Sequence, residues 1–405
     1  MRHEVVRLGH WGDGVTADGL FAANALPGEV VEGEREGDRI PDPKIVTPSP
    51  DRVRPPCRHY KACGGCALQH ASDDFVASWK RGVVETALRH QGISAEIGPV
   101  HVSPPHSRRR AVFHGRRTKK GVLLGLHARA SESVVAVPDC LLMTPEIMAG
   151  YSAFEDLVAL GVSRRGEMDL AVISSEGGLD VAVTGARPLD LDLRVRVAEV
   201  SRAAGLARLS WNGEPVAGEG PAFLNFGRAR VVPPAGAFLQ ATAEGEARLV
   251  DAMRRAVAGA GRIVDLFAGC GTFSLPLAQG AEVHAVEGVA EMLSALSKAW
   301  RGAEGLRAVS VETRDLFRHP LRAGEFDRYD AAVIDPPRAG AAAQIEEIAC
   351  SRLTVLGHVS CNPITFARDA RRLIEAGFGL DWVEVVDQFR WSTHVEIAAR
   401  FSRAV

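Results

Sequence analysis

The stretch IVDLFAGCGTFSLPLA (263–278) reads as an apolar strand ending in Asp265, a turn through Gly269 and Gly271, and then a helix. Glycines at such a turn let the backbone approach a ligand at the helix N-terminus. Working outward, EVHAVEG (282–288) is the next strand, and its terminal acid Glu287 is placed to accept hydrogen bonds from ribose hydroxyls. LRAVSVETRD (306–315) carries the third strand and ends at Asp315. From about residue 236 onward the pattern of strand, glycine loop and helix repeats, which predicts a doubly wound parallel sheet. A dinucleotide dehydrogenase would share the glycine turn and the acid. Two features favour S-adenosylmethionine instead. The loop reads D-x-F-x-G-x-G, with Ser274 where a third glycine would stand, and Asp315 lies where an adenine would be held.

Two further strand ends carry chemistry. AAVIDPPRAG (331–340) ends a strand at Asp335, with Pro336 and Pro337 stiffening the backbone before Arg338. HVSCNP (358–363) places Cys361 at the next strand end, where ligands bind in such sheets. A thiol there is a candidate nucleophile, and the alternative is a small buried hydrophobe. Asn362–Pro363 enforces a turn, which points to an exposed loop. Cys350, in the preceding helical stretch, reads as a buried hydrophobe. The last strand, STHVEIAARF (392–401), puts Val395, Ile397, Ala399 and Phe401 on one face and His394 and Glu396 on the other. A carboxylate inside a sheet is costly without a task or partner, so Glu396 is a general-base candidate, with a structural ion pair as the alternative.

This set suits one reaction. Carbon 5 of uracil is not nucleophilic enough to be methylated directly. A thiolate adding to carbon 6 creates an enolate whose carbon 5 can take a methyl group, after which a base must remove the carbon-5 proton. Cys361 offers the thiol, Glu396 the base, and 269–287 the donor site. The enolate needs hydrogen-bond donors. Gln240 in GAFLQAT (236–242) supplies an amide, and Arg338 is a further candidate.

The rest of the chain frames this domain. Its 405 residues suggest two to three domains, and 46% hydrophobic with 24% charged residues is ordinary for a globular protein. The net charge of −2 argues against a histone-like polycation. No apolar run approaches the ~20 residues of a membrane span, and the first residues lack a signal-peptide core; a cytoplasmic protein is expected. Residues 1–40 alternate like short strands with tight turns, a small β-barrel. PDPKIVTPSPDRVRPP (41–56) holds six prolines and reads as a stiff linker. Residues 75–92 have helical spacing with a glycine stop, and 108–137 read as a hairpin turning at Lys119–Lys120–Gly121. Between Glu96 and Glu132 there is no acid, while Arg108, Arg109, Arg110, Arg116, Arg117, Lys119, Lys120 and Arg129 fall there. That stretch either attracts phosphate or is a solvated strand face. Cys57, Cys63 and Cys66 are spaced C-x5-C-x2-C, with Cys140 distant. Four thiolates suit an iron–sulfur cluster or a structural zinc.

Assembled, the motifs CRHYKACGGCALQH, FLQAT, DLFAGCGTF, VEG, DPPRAG, SCNP and HVE occur in the order of the RNA uridine-5 (m5U) methyltransferase family, and the chain resembles its RumA/TrmA type over nearly its whole length. The resemblance implies an α/β fold in three parts: a TRAM-like β-barrel that binds RNA (1–48), a central α+β domain with the cysteine cluster (49–235), and a class I, Rossmann-like methyltransferase domain (236–405). It also implies that the 75–92 segment packs on the last domain. Cys361 would be the nucleophile and Glu396 the base. Gln240, Phe267, Gly269, Gly271, Thr272, Glu287, Asp315 and Asp335 would line the S-adenosylmethionine site. Cys57, Cys63, Cys66 and Cys140 would hold a [4Fe-4S] cluster, with zinc as the alternative. The cluster belongs to the ribosomal branch, so 23S rRNA is the favoured substrate and transfer RNA the alternative, for a monomer acting away from membranes. The family often has Asn where this chain has Thr242, and an Asn or similar residue where it has Thr272. The rivals are a catalytically silent RNA-binding protein, an amino methyltransferase and an NAD-dependent enzyme. An amino methyltransferase would follow its prolines with an aromatic residue rather than Arg338.

Overall fold

A computed structural model describes residues 1–119, 121–163 and 166–404. Lys120, at the expected hairpin turn, lies outside the described residues. The N-terminal module has six short strands: β1 (Arg2–Leu8), β2 (Gly14–Thr16), β3 (Phe21–Ala22), β4 (Val30–Glu32), β5 (Arg39–Ile40) and β6 (Lys44–Thr47). They pair in the order β5-β3-β2-β1-β4-β6. Val5, Leu20, Ala22, Ala25, Val31 and Ile40 converge on one core. The proline-rich segment after it is pinned: buried Glu29 accepts Ser49 N at 3.1 Å and Arg52 Nη2 at 2.7 Å.

Next comes α1 (Asp73–His90), started by the Ser72 hydroxyl accepting Phe75 N at 3.2 Å, and then β7 (Ile97–Val102). The central module follows with β8 (Arg110–Thr118), β9 (Gly121–His127), β10 (Val134–Ala136), α2 (Pro145–Ala149), α3 (Tyr151–Gly161), β11 (Glu167–Ser175), β12 (Gly178–Thr184), α4 (Leu191–Ala203), β13 (Arg208–Trp211) and β14 (Glu214–Ala217). Its seven strands run β10-β9-β8-β11-β12-β13-β14. The α3 residues Phe154 and Leu157 pack with Phe113, Leu170 and Trp211 of the sheet. A hairpin of β15 (Leu224–Phe226) and β16 (Ala229–Val231) leads into the last layer.

That layer contains α5 (Ala243–Ala256), β17 (Arg262–Leu266), α6 (Ser274–Leu277), β18 (Glu282–Glu287), α7 (Ala290–Arg301), β19 (Val309–Thr313), β20 (Ala331–Ile334), α8 (Ala342–Cys350), β21 (Val355–Ser360), α9 (Pro363–Glu375), β22 (Gly379–Asp387) and β23 (Ile397–Ser402). The order is β19-β18-β17-β20-β21-β23-β22-β7. β19, β18, β17, β20 and β21 run parallel to one another, while β23 is antiparallel to both β21 and β22. Helices cover both faces, so the strands read as continuous apolar runs; Ala331, Ala332, Val333 and Ile334 are all buried. Two cores result, one on each face.

This topology positions the site. Parallel strands bring their C-terminal ends to one edge of the sheet. The antiparallel β23 instead brings its N-terminal end there, because Ile397 pairs with Ser360. The residues after β17, β20 and β21 therefore meet the residue before β23, which is Glu396. The last strand begins at Ile397, later than the 392–401 expected, and Glu396 is tied at its carbonyl by Val386 N at 2.8 Å. Residues 73–102 belong to this layer: α1 packs on α9, and β7 extends the sheet beside β22.

Candidate active site

The glycine loop after β17 takes the conformations its sequence demands. Gly269 and Gly271 have φ of 54° and 95°. A Cβ on Gly271 would lie 2.8 Å from Leu296, so a side chain there would push α7 away, whereas Gly269 has open space. Phe267 holds φ of 62° without being glycine, a strained conformation that concentrates at functional sites. Its ring sits 5.3 Å from that of Phe317. Glu287 accepts Gly269 N and Val289 N, each at 3.0 Å, and so closes the loop from the next strand. Thr272 is half-buried at the start of the helical turn. Asp315 is exposed and accepts Phe317 N at 3.0 Å, which fixes the turn after β19.

Asp265 is fully buried. It accepts the Ser274 hydroxyl at 2.5 Å, and its other oxygen has no hydrogen-bond partner. Ser274, at the position a third glycine takes in a dinucleotide-binding loop, thus serves the carboxylate. Burial pushes the Asp265 carboxyl up to about 7. Asp335 is only half-buried by solvent exposure, yet desolvation likewise raises it to about 7 while Gln240 Nε2 donates to it at 3.2 Å.

Cys361 and Glu396 come together at this edge. Burial pushes the Cys361 thiol up to about 11, and the nearby Glu396 and Asp335 carboxylates add to the rise while Arg338 opposes it. Glu396 is buried and raised to about 8, by burial first and then by Asp335. Among the described residues no cation pairs with it, so the ion-pair alternative is not what holds it. Asn362 caps α9 by accepting Ile364 N at 3.0 Å and donates to Arg338 O at 3.0 Å, joining the two strand-end loops. His394 is exposed, its ring edge-on to Phe389. Cys350 is exposed rather than buried; it ends α8 beside Glu346 and Arg372.

Two residues at the heart of the site were not singled out from sequence. Gln388 Nε2 donates to Glu396 Oε2 at 3.0 Å and to Gln240 Oε1 at 2.6 Å, while its own oxygen accepts Ala241 N at 2.7 Å. One amide therefore joins the 236–242 loop to Glu396. Lys80, wholly buried on α1, donates to Asp387 Oδ1 at 2.5 Å and to Phe389 O at 3.1 Å, bracing the segment that carries Gln388. Burial lowers the Lys80 ammonium. The available signal was the DQF triplet (387–389) ahead of the last strand, and a lysine among the apolar positions of α1.

The basic stretch divides by partner. Arg109 is buried against Glu246 at 2.5 Å and donates to Gln240 O at 3.2 Å. Arg110 donates to Leu239 O at 3.1 Å and lies 4.5 Å from the Phe238 ring. Arg108 donates to Arg110 O at 3.0 Å. Arg109 and Arg110 thus stitch the central module to the 236–242 loop. Arg116 is half-buried, Arg117 and Lys119 are exposed, and Arg129 pairs with Asp13 at 2.9 Å. Thr242 caps α5 by accepting Gly245 N at 3.0 Å and pairs with the Ser103 hydroxyl at 2.8 Å.

Cys57, Cys63, Cys66 and Cys140 line one pocket with Tyr60, Gln69 and Leu126. Burial pushes the Cys66 thiol up to about 12, and each of the other three thiols adds to it. Among the described residues no three of these sulfurs lie within 4.8 Å of one another. Gly64 is required beside them, because a Cβ there would lie 2.8 Å from His127 O.

The geometry agrees with known proteins. The family model described as tRNA (Uracil-5-)-methyltransferase matches residues 232–404. A Halomonas elongata protein named 23S rRNA (uracil(1939)-C(5))-methyltransferase RlmD is 33% identical over 432 residues, covering 96% of this chain and 86% of its own length. The chain belongs to the RNA uracil-5 methyltransferase family. An uncharacterized RNA methyltransferase of Brucella suis is 41% identical over 395 residues, 97% of this chain and 95% of that protein. The solved tRNA (uracil-54, C5)-methyltransferase of Pyrococcus abyssi, in complex with S-adenosyl-L-homocysteine, superposes with a TM-score of 0.75 at 20% identity, over 98% of this chain and 99% of that one. That likeness shows the fold: a class I methyltransferase layer with N-terminal and central sheet modules. Among the described residues no helix is long and apolar enough to cross a membrane.

Proposed function

We propose that this chain transfers a methyl group from S-adenosylmethionine to carbon 5 of a uridine in RNA, with Cys361 as nucleophile, Glu396 as base and 23S rRNA as substrate. The observation that carries the reading is the meeting of a thiol and two carboxyls raised toward neutrality, Asp335 and Glu396, beside a glycine loop at one sheet edge.

S-Adenosylmethionine fits the crevice by charge. It carries a sulfonium and an ammonium, and the loop presents Asp265, Glu287, Asp315 and Asp335. One Asp265 oxygen has no partner, and burial raises both Asp265 and Asp335. Gln240, Phe267, Gly269, Gly271 and Thr272 complete the residues that would hold it. When bound it supplies an electrophilic methyl group.

The chain's own residues do the rest. The Cys361 thiol, raised by burial, holds its proton at neutral pH, so that proton leaves as sulfur adds to carbon 6; the nearby Asp335 carboxylate receives it, which leaves Glu396 ionised for the later step. The Gln240 amide and Arg338 are the donors available to the enolate oxygen. Once carbon 5 carries its methyl group, ionised Glu396 takes the carbon-5 proton. The carbon–sulfur bond then breaks and the thiolate is restored. A carboxyl raised to about 8 is matched to this task near neutral pH.

For the cysteine pocket the reading is a [4Fe-4S] cluster. Four thiols lining one pocket supply the four ligands such a cluster takes, and the resemblance favours it over zinc. Its role is structural, because it ties residues 57–66 to 140, beside the arginines that reach the catalytic loop. A cluster there would favour the ribosomal substrate over transfer RNA, as the resemblance implies.

The test incubates anaerobically purified protein with S-adenosylmethionine and, separately, unmodified 23S rRNA and transfer-RNA transcripts, with nucleosides read by mass spectrometry. 5-Methyluridine in the 23S sample alone supports the full reading. Product in transfer RNA alone overturns the ribosomal assignment. Product in neither, or normal turnover by Cys361→Ala, overturns the chemistry.

A further inference from the structure

The loop between β1 and β2, GHWGD (9–13), is braced on two sides. Asp13 is buried, and its carboxylate meets Arg129 Nη2 at 2.9 Å and also the Arg39 guanidinium. Arg129 Nη2 donates as well to the Trp11 carbonyl at 2.8 Å. Gly12 takes φ of 85°, and a Cβ there would lie 3.1 Å from Ala67 Cβ and 3.3 Å from Thr393 Cγ2. The loop therefore lies flat on residues 67–68 and on the 391–394 segment that leads into Glu396. Those two segments are themselves joined, since Ala67 N and Leu68 N both donate to Trp391 O, at 2.8 and 2.9 Å.

The Trp11 ring is left free by all this bracing. It is 61% exposed, and its ring neighbour is His10, 4.9 Å away and tilted by 48°. Scattered exposed apolar residues need no explanation. A large aromatic on an immobilised backbone beside a catalytic crevice is different, because its ordering cost has already been met before any ligand arrives. Two guanidiniums, Arg39 and Arg129, against one carboxylate also leave net positive charge at the base of this loop, which suits phosphate.

We propose that Trp11 is a stacking platform for a nucleobase of the substrate RNA that neighbours the uridine held at Cys361. The inference rests on the uridine-methylation reading for the identity of that RNA. Reaching carbon 6 of a uridine requires taking it out of its stack, which leaves neighbouring bases without partners. An indole face accepts any base, so it would hold the flank without dictating its sequence.

The experiment compares full-length wild type with Trp11→Ala and Trp11→Phe. It measures affinity for an unmodified 23S rRNA transcript by filter binding, kcat and KM for that transcript, S-adenosylhomocysteine affinity by calorimetry, and Tm. Trp11→Ala should weaken transcript binding and raise KM by ~5- to 150-fold, the range expected for one lost base stack. Its kcat, cofactor-product affinity and Tm should stay near wild type, and Trp11→Phe should recover most of the binding. Wild-type transcript affinity in Trp11→Ala overturns the proposal. So does a parallel loss of Tm and S-adenosylhomocysteine affinity that Phe does not rescue, which would make Trp11 a structural residue. A wild type that binds the transcript without methylating it would overturn the function proposed above, and the binding arm would still decide the platform.

Discussion

Replacing Gln388 by Met removes the donor to Glu396 while keeping side-chain length. In the native site Gln388 Nε2 lies 3.0 Å from Glu396 Oε2, a bond that favours the ionised carboxylate. A hydrogen bond to a charged acceptor contributes roughly 1.5–3 kcal/mol, and one pKa unit corresponds to about 1.36 kcal/mol. Losing it should raise Glu396 from about 8 by a further one to two units, in roughly that proportion. The base must be ionised to work, so the rising limb of the kcat–pH profile should move to higher pH by the same amount. At pH 8 the ionised fraction would fall from about one half to below about one tenth. The substitution also leaves Ala241 N and Gln240 Oε1 unpaired, so stability should drop, and the assay belongs well below the Tm of the variant. The measurement is tritium release from RNA made with 5-tritiated uridine, followed over roughly pH 6 to 10 at saturating substrates. Steps before proton removal do not need the ionised base, so a covalent protein–RNA adduct should build up relative to product. A pH profile that superimposes on wild type would refute the assignment of Glu396 as the base and of Gln388 as the residue that orients it.

Three other outcomes follow from the same structure. Glu396→Gln should trap the adduct almost completely, visible as a slow band on denaturing gels with labelled RNA; no band would require a different base. Lys80→Met should destabilise the protein by about 3–5 kcal/mol in denaturant titration, because Asp387 is left charged and buried without its partner; a loss below about 1 kcal/mol would mean that water or another group serves Asp387. Anaerobically purified protein should carry about four iron and four sulfide per chain with broad visible absorbance, and Cys140→Ser should lose both while lowering Tm; stoichiometric zinc in their place would overturn the cluster.

Much of the catalytic layer was legible in the sequence because its determinants are local. A strand that ends in an acid, glycines that must take positive φ, and prolines that stop a strand all act over a few residues. Asp265, Glu287, Asp335 and Cys361 follow such signals, and the sheet order then brings their strand ends to one edge. Glu396 was legible for another reason. A carboxylate at an alternating position in an otherwise apolar strand is an energetic anomaly, and the antiparallel insertion of β23 turns it toward the thiol.

The start of β23, the exposure of Cys350 and the fate of the arginines followed different rules. Arg109 reads as a surface cation by composition, yet it is buried because Glu246, 137 positions away, meets it there. Gln388 and Lys80 have the same character, with partners 148 and 307 positions away. Sequence by itself determined the class I layer and singled out Cys361, Glu396 and the four cysteines as candidates, since each rests on residue type within a short motif. Tertiary structure alone decided which amide meets Glu396, which lysine braces that amide, that β7 extends the sheet beside β22, and that the loop carrying Trp11 packs on the segment leading to Glu396. A side chain's task in these cases is set by the charge or hydrogen bond it meets after folding, and nothing within a few residues of it along the chain specifies that partner.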